Sequence, residues 1–113
     1  MDSFTQYQQR VRKLFASTAN LMLPDHRLLT IRTVDIGTDS VKVIVPENLP
    51  ERLECLLRLS IPAANKAGFH AVIAHVKTQP SVFDGRHGGF LTTLRFTSIP
   101  AASVRVIEGF LKV

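Results

Sequence analysis

The chain has 113 residues, of which 45% are hydrophobic and 20% are charged. This length suits one compact domain, and this balance excludes a disordered or fibrous protein. The single cysteine, Cys55, excludes an internal disulfide and a cysteine-based structural zinc site. Nine of the 14 basic residues are arginine and the formal net charge is +5, so we expect an anionic partner.

The sequence lacks the signatures of several classes of protein. No apolar run approaches the roughly 20 residues that span a bilayer, and the first residues do not resemble a secretory signal. The signatures of serine hydrolases, P-loop proteins, dinucleotide-binding proteins and zinc proteases do not occur. Cys55 alternates in phase with aliphatic residues, which indicates a buried thiol. We predict a noncatalytic cytoplasmic protein without a metal site or membrane insertion.

Residues 1–15 form a basic N-terminal arm, which the sequence predicts as a short helix or an extended segment. Apolar residues recur along it at steps of 3, 4 and 3, as on one helix face: Phe4, Tyr7, Val11 and Leu14. Arg10, Arg12 and Lys13 place three cations within four residues. Because the arm contributes little to the core, replacing both arginines is predicted to change stability by less than about 1 kcal/mol.

Six runs with strand character follow the arm. They cover residues 19–23, 27–36, 41–45, 53–61, 69–77 and 89–97, and they are separated by turns and by a longer loop over residues 78–88. The run 27–36 has apolar residues at both odd and even positions, which face opposite sides of a strand. Both faces of this strand are therefore predicted to be covered. The glycine-rich residues 84–89 suit either an ordinary turn or an anion-binding nest, and the turn is favoured.

The last segment, residues 99–113, is predicted as a helix with Ser98 as its N-cap. Its apolar residues form two adjoining rows, which consist of Val104, Ile107 and Leu111 and of Val106, Phe110 and Val113. Some of this surface is expected to pack on the barrel, and a remainder left exposed would form a partner or homodimer contact. Six strands followed by one helix predict a small β-barrel or sandwich.

The order of these features resembles that of the PilZ domains, which are bacterial receptors for cyclic di-GMP. In that family an RxxxR motif precedes the barrel, a [D/N]xSxxG motif lies at a strand end, and a late G-hydrophobic-x-x-x-F strand leads into a C-terminal helix. The similar stretches here are residues 9–13, 35–40 and 89–96. The resemblance implies a mainly β fold: a six-stranded antiparallel barrel over residues 16–97, with the arm at 1–15 and the helix at 99–113, in a single domain.

The resemblance also implies a site for cyclic di-GMP, without any other cofactor, in a sensor or adaptor with a protein partner in motility, pilus or biofilm control. The ligand-binding residues carried over from the motifs are Arg10, Arg12, Lys13, Asp35, Gly37 and Ser40. Arginine pairs with phosphate oxygens and with guanine O6 and N7. An aspartate accepts hydrogen bonds from guanine N1–H and N2–H.

Departures from the motifs support an alternative function. Gln9 stands at the first arginine of RxxxR, Gly37 stands where the family has serine, and Ser40 stands where it has glycine. These residues favour a degenerate PilZ-like adaptor that binds no nucleotide, whereas the arginines and Asp35 favour the receptor. A small barrel for RNA or single-stranded DNA is a third reading, but the chain has few aromatic residues for base stacking. We take the receptor as the main prediction, and nucleic acid is not the expected partner.

Overall fold

The computed structural model describes residues 11–63 and 67–112, in which eight strands and one helix form. The strands are β1 (Lys13–Leu14), β2 (Thr18–Met22), β3 (Leu28–Ile36), β4 (Ser40–Val45), β5 (Glu54–Pro62), β6 (Phe69–Thr78), β7 (Val82–Asp84) and β8 (Gly89–Ser98). The helix, α1, covers Ala101–Leu111.

Six of these strands close into an antiparallel barrel. The order around the barrel is β2, β5, β6, β8, β4 and β3, and β3 pairs with β2 to complete the circuit. The predicted six-stranded antiparallel barrel with a C-terminal helix is therefore confirmed. The two short strands lie outside the circuit, β1 against β3 and β7 against β8.

The period-two pattern of the barrel strands places alternate residues in one apolar core. In β5, Cys55, Leu57, Leu59 and Ile61 are buried, whereas the residues between them are not. Burial raises the pKa of the Cys55 thiol to about 11, so this thiol stays protonated near neutral pH. A buried, protonated thiol is a poor nucleophile. This environment agrees with the structural role predicted for Cys55.

The prediction that both faces of β3 are covered is wrong. Leu28 is 61% exposed, whereas Ile31, Thr33 and Ile36 are buried. The buried positions change parity because a β-bulge interrupts the register between Thr33 and Asp35. Without the bulge Asp35 would continue the inward positions of Ile31 and Thr33. With it, Ile36 is buried instead, and the Asp35 carboxylate reaches Arg12.

The predicted loop over residues 78–88 contains a further short strand, β7. It pairs with the first residues of β8, and the rings of Phe83 and Phe90 meet edge to face with centroids 5.4 Å apart. Sequence analysis missed β7 because only three residues take part, which is too few for an alternating pattern to be visible.

Gly89 begins β8 where this strand approaches β4 closely. A Cβ atom at Gly89 would lie 2.7 Å from Cγ2 of Ile44 and 2.8 Å from the carbonyl oxygen of Val45. We expect Gly89→Ala to lower the free energy of unfolding by about 1–3 kcal/mol, because the β4 backbone must shift. Chemical denaturation measures this loss. Gly85→Ala is the matched control, since its Cβ would lie an ordinary 3.7 Å from Phe83, and equal losses would contradict the prediction.

The described part of the arm, residues 11–15, is extended. Val11 and Leu14, two members of the predicted helical stripe, are 48% and 80% exposed, whereas Phe15 is buried in the core. The Thr33 hydroxyl donates to the carbonyl oxygen of Phe15 and accepts from the Ser17 N–H at 2.9 Å. These hydrogen bonds fix the chain where the arm continues into β2. The remainder of the arm, which includes Arg10, lies outside the described residues.

The helix α1 packs against the barrel through its apolar side. Pro100 occupies the N-cap position, so the prediction of Ser98 as the cap is wrong: Ser98 belongs to β8. Ile107 is completely buried, and three further apolar residues pack partly buried against the same core: Val106, Phe110 and Leu111. Much of the surface considered for a dimer contact therefore faces the barrel, and a homodimer through α1 stays a prediction.

Candidate functional site

The turn between β3 and β4 forms the centre of the candidate site. In this turn the Gly37 N–H donates to the carbonyl oxygen of Ser40 at 2.9 Å. The arm lies beside the turn because β1 pairs with the end of β3, with Lys13 opposite Ile36 in register. Arg12, the residue before β1, is thereby placed against the turn.

Arg12 connects the two predicted motifs through hydrogen bonds. Its Nε donates to Oδ1 of Asp35 at 2.7 Å, its Nη1 to Oγ of Ser40 at 2.9 Å and its Nη2 to the carbonyl oxygen of Ser40 at 3.1 Å. Nη1 also donates to Oδ1 of Asp39 at 3.4 Å. We call these four residues the Arg12 cluster.

The central ion pair of the Arg12 cluster, between Arg12 and Asp35, is partly sheltered from solvent. The side chains of Arg12 and Asp35 are 24% and 18% exposed. Charge-assisted hydrogen bonds in such surroundings contribute more than a fully exposed ion pair. These contacts tie Arg12 to the barrel surface, so its replacement is expected to cost more than that of a free surface arginine. The stability change for replacing both arginines of the arm stays a prediction.

Lys13 takes a different direction from Arg12. Its Nζ donates to the carbonyl oxygen of Phe110 at 3.0 Å and lies 4.2 Å from the centroid of the Phe110 ring. This is the last turn of α1, where carbonyl groups without helical partners favour a cation. Of the predicted site residues, the structure thus brings together Arg12, Asp35, Gly37 and Ser40, and it places Lys13 against the helix.

Gly37 leaves room for the guanidinium of Arg12. It is buried, and a Cβ atom there would lie 3.0 Å from Nη1 of Arg12 and 3.2 Å from the carbonyl oxygen of Val11. A serine at this position, as in the family motif, would compete with Arg12 for the same space. The motif departure at Gly37 is therefore coupled to the ion pair between Arg12 and Asp35.

Gly37→Ser is expected to displace the Arg12 guanidinium and to lower the free energy of unfolding by about 1 kcal/mol, because a charge-assisted hydrogen bond is lengthened. The Nε–H resonance of Arg12 reports this change, since this proton is hydrogen-bonded to Asp35 in the parent protein. Thr38→Ser, at an exposed residue of the same turn, is the control and should leave the resonance in place. An unchanged resonance in Gly37→Ser would contradict the coupling.

The predicted site set did not include three charged residues in or beside the Arg12 cluster. Asp39 accepts from Arg12, Lys42 is the register partner of Asp35, and Arg95 is the register partner of Ser40. Lys42 lies two residues beyond Ser40, so strand alternation alone could have placed both on one face. The position of Arg95 depends on the pairing of β4 with β8, and this long-range register has no local signal in the sequence.

The glycine-rich turn after β7 is built around a carboxylate. Asp84 accepts hydrogen bonds from Nδ1 of His87 at 2.9 Å and from the N–H of Arg86 at 3.0 Å. The hydrogen bond with His87 holds the pKa of Asp84 below its ordinary value. A negative carboxylate in the centre of the turn repels an anion, which favours the structural interpretation of this segment over an anion nest.

Within residues 11–63 and 67–112, no three His, Cys, Asp or Glu side chains are grouped as a metal ion would require. In the same part of the chain, no helix has the length and apolar character needed to cross a membrane.

Comparison with known proteins relates this barrel to solved structures. No family model matches the chain, and no curated protein matches it in sequence. The structure of the Bacillus subtilis inhibitor of motility, MotI/DgrA, matches with a TM-score of 0.77 and 11% identity over 90% of this chain and 48% of that chain. PlzA of Borreliella burgdorferi, solved in complex with cyclic di-GMP, matches with a TM-score of 0.65 and 11% identity over 97% of this chain and 44% of that chain.

The chain has a PilZ-like fold. This PilZ-like chain spans about half the length of each of the two proteins. The order of motifs in the sequence and the arrangement of strands in space thus lead to the same architecture.

Proposed function

We propose that this PilZ-like domain is a noncatalytic cyclic di-GMP sensor or adaptor in the bacterial cytoplasm, with a partner in motility, pilus or biofilm control. The observation that carries the proposal is the convergence of Arg12, Asp35 and Ser40 on the barrel surface. The shared fold adds support, since PlzA was solved with cyclic di-GMP bound and MotI/DgrA is an inhibitor of motility.

The Arg12 cluster suggests how the ligand would enter. Guanine presents two adjacent donors, N1–H and N2–H, and a carboxylate accepts either these or the N–H groups of a guanidinium. A guanine on Asp35 would therefore replace Arg12. The released guanidinium would be available for a ligand phosphate or for O6 and N7 of the second guanine. We propose that cyclic di-GMP exchanges with the internal ion pair.

Such an exchange would move a short stretch of chain. The ring of Phe15 is buried and lies 5.3 Å from the ring of Phe110, so the chain is anchored at this point. Lys13 lies between this anchor and Arg12, and it binds the last turn of α1. A movement of Arg12 would reach α1 through Lys13. We propose α1 as the place where a protein partner, or a second copy of the chain, senses the ligand.

The degenerate adaptor remains the second candidate, and one observation favours it. Arg12 already fills the space beside Gly37, and its hydrogen bonds satisfy Asp35 and Ser40 without any ligand. A protein that works only as an adaptor would keep this ion pair as a permanent structural contact.

A titration distinguishes the two functions. Cyclic di-GMP is added to the protein while the backbone amides and the Arg12 Nε–H are followed by NMR, with cyclic di-AMP as a control that has the same phosphates and no guanine. We expect saturable shifts at residues 11–13 and 35–42, and binding of cyclic di-AMP at least about 10-fold weaker. The absence of shifts at about 1 mM cyclic di-GMP would contradict the receptor and support the degenerate adaptor. Equal binding of the two dinucleotides would show charge attraction without guanine recognition and would contradict the receptor.

A further inference from the structure

A second feature of the barrel surface lies outside the Arg12 cluster. A cavity of about 470 Å³ opens where β6 and β8 meet the turn before β5. Three cationic side chains line it, namely Arg52, Lys77 and Arg95, and we call it the basic groove. Gln79 and Thr97 add an amide and a hydroxyl to its wall.

The strand register forces like charges together in the basic groove. Lys77 of β6 lies directly opposite Arg95 of β8, and like charges at such cross-strand positions are destabilising. Glu51 lines the groove and Glu54 is the register partner of Lys77 on its other side. Among the described residues, however, no carboxylate lies within 4 Å of the charged nitrogens of the three cations.

The three cations of the groove thus form no close ion pair within the described fold. Of the described arginines, only Arg12 and Arg27 form side-chain ion pairs, the first with Asp35 and the second with Asp25 and Glu47. The groove differs from the other unpaired arginines because its three cations surround one cavity. A bound anion would offset the repulsion between Lys77 and Arg95. The planar guanidinium groups suit the oxygen atoms of a phosphate, and lysine adds a point charge.

We propose that the basic groove binds a phosphate monoester of about mononucleotide size. The volume lies within the usual range for small-ligand pockets, and the concave shape favours a compact ligand. Lys77 is three strands away from Asp35, about 14 Å at the usual strand spacing. Arg95, at the near side of the groove, is the register partner of Ser40, so the groove adjoins the Arg12 cluster. The two share no lining residue, and the proposed ester site does not require cyclic di-GMP.

The test is a titration of the whole protein with 5′-AMP, ribose 5-phosphate and inorganic phosphate, followed through the backbone amides. We expect saturable shifts at residues 52, 77–79 and 95–97, with the two esters bound at least about 5-fold more tightly than free phosphate. Stronger binding of 5′-AMP than of ribose 5-phosphate would indicate a nucleotide, and equal binding would indicate a sugar phosphate. Both results support a phosphate ester site.

Variants test whether the three cations form a specific site. Lys77→Gln and Arg95→Gln should each weaken ester binding by about 10-fold. Arg58→Gln, which removes the same charge from an exposed position in the middle of β5, should change it by less than about 2-fold. Asp35→Asn should leave ester binding unchanged. A failure of the proposed cyclic di-GMP site can therefore be distinguished from a failure of the basic groove.

Three results would overturn the proposal. The first is the absence of saturable shifts in the parent protein up to about 10 mM ester, a measurement that needs no variant. The second is an equal loss in Arg58→Gln and Arg95→Gln, which would show attraction by net charge alone. The third is free phosphate binding as tightly as the esters, because the groove would then recognise only a small anion.

Discussion

Asp35→Ala is expected to weaken cyclic di-GMP binding by about 30-fold or more, which corresponds to about 2 kcal/mol. The carboxylate would accept two guanine N–H groups in exchange for its hydrogen bond of 2.7 Å from Arg12. Its removal therefore eliminates the direct guanine contacts, and the loss of the competing ion pair offsets this only in part. Isothermal titration calorimetry measures the affinity, and the amide spectrum of the variant shows whether the barrel is intact.

Two further variants control the Asp35 result. Asp35→Asn keeps the shape and one acceptor oxygen, so its affinity should lie between those of the parent and Asp35→Ala. Asp39→Asn removes the same charge from a side chain that is 67% exposed and 3.4 Å from Arg12, and it should change affinity by less than about 3-fold. If Asp39→Asn lost as much affinity as Asp35→Ala, the affinity would depend on the net charge of the turn. The proposed contact between Asp35 and guanine would then be wrong.

Ile107→Ala should lower the free energy of unfolding by about 2–5 kcal/mol, the range for truncation of a fully buried aliphatic side chain. Ile107 is completely buried, and α1 rests on the barrel around it. The loss should appear in chemical denaturation. Amide hydrogen exchange should show faster opening of α1 than of β5, because the cavity weakens the contact between helix and barrel rather than the strand pairing.

Val104→Ala provides the comparison for Ile107→Ala, since Val104 lies on the same helix and is only partly buried. Its cost should stay below about 1.5 kcal/mol. Equal losses in the two variants would mean that the helix is held by its intrinsic stability and not by the anchor at Ile107. That outcome would contradict the expected role of Ile107.

The barrel was predictable from sequence because its strands carry a regular signal. Residues 53–61 alternate along nearly the whole run, and β5 buries Cys55, Leu57, Leu59 and Ile61 as that alternation requires. The bulge in β3 gave no such signal, since Val34 and Ile36 continue an alternation that the structure breaks between Thr33 and Asp35. A change of register depends on the partner strand, so one strand considered alone cannot reveal it.

The candidate site was predictable in part. The order of the motifs placed Arg12, Asp35, Gly37 and Ser40 in one region, and the structure brings these four residues together. Lys13 was grouped with Arg12 because the two are adjacent in sequence. Successive residues of an extended chain point in opposite directions, and Lys13 therefore reaches Phe110 while Arg12 reaches the turn. The spacing of Val11 and Leu14 also suited one face of a helix, so the alternation of an extended chain was not evident from the sequence.

The contact of Lys13 with Phe110 has a consequence for where the domain can be labelled. It brings the beginning of the described chain against the last turn of its final helix, and the Phe15 ring packs on the same phenylalanine. Residue 11 and the last turn of α1 therefore lie on the same side of the barrel. A bulky label introduced at residue 11 or at residue 112 would be placed next to the bond between Lys13 and the helix and would strain it.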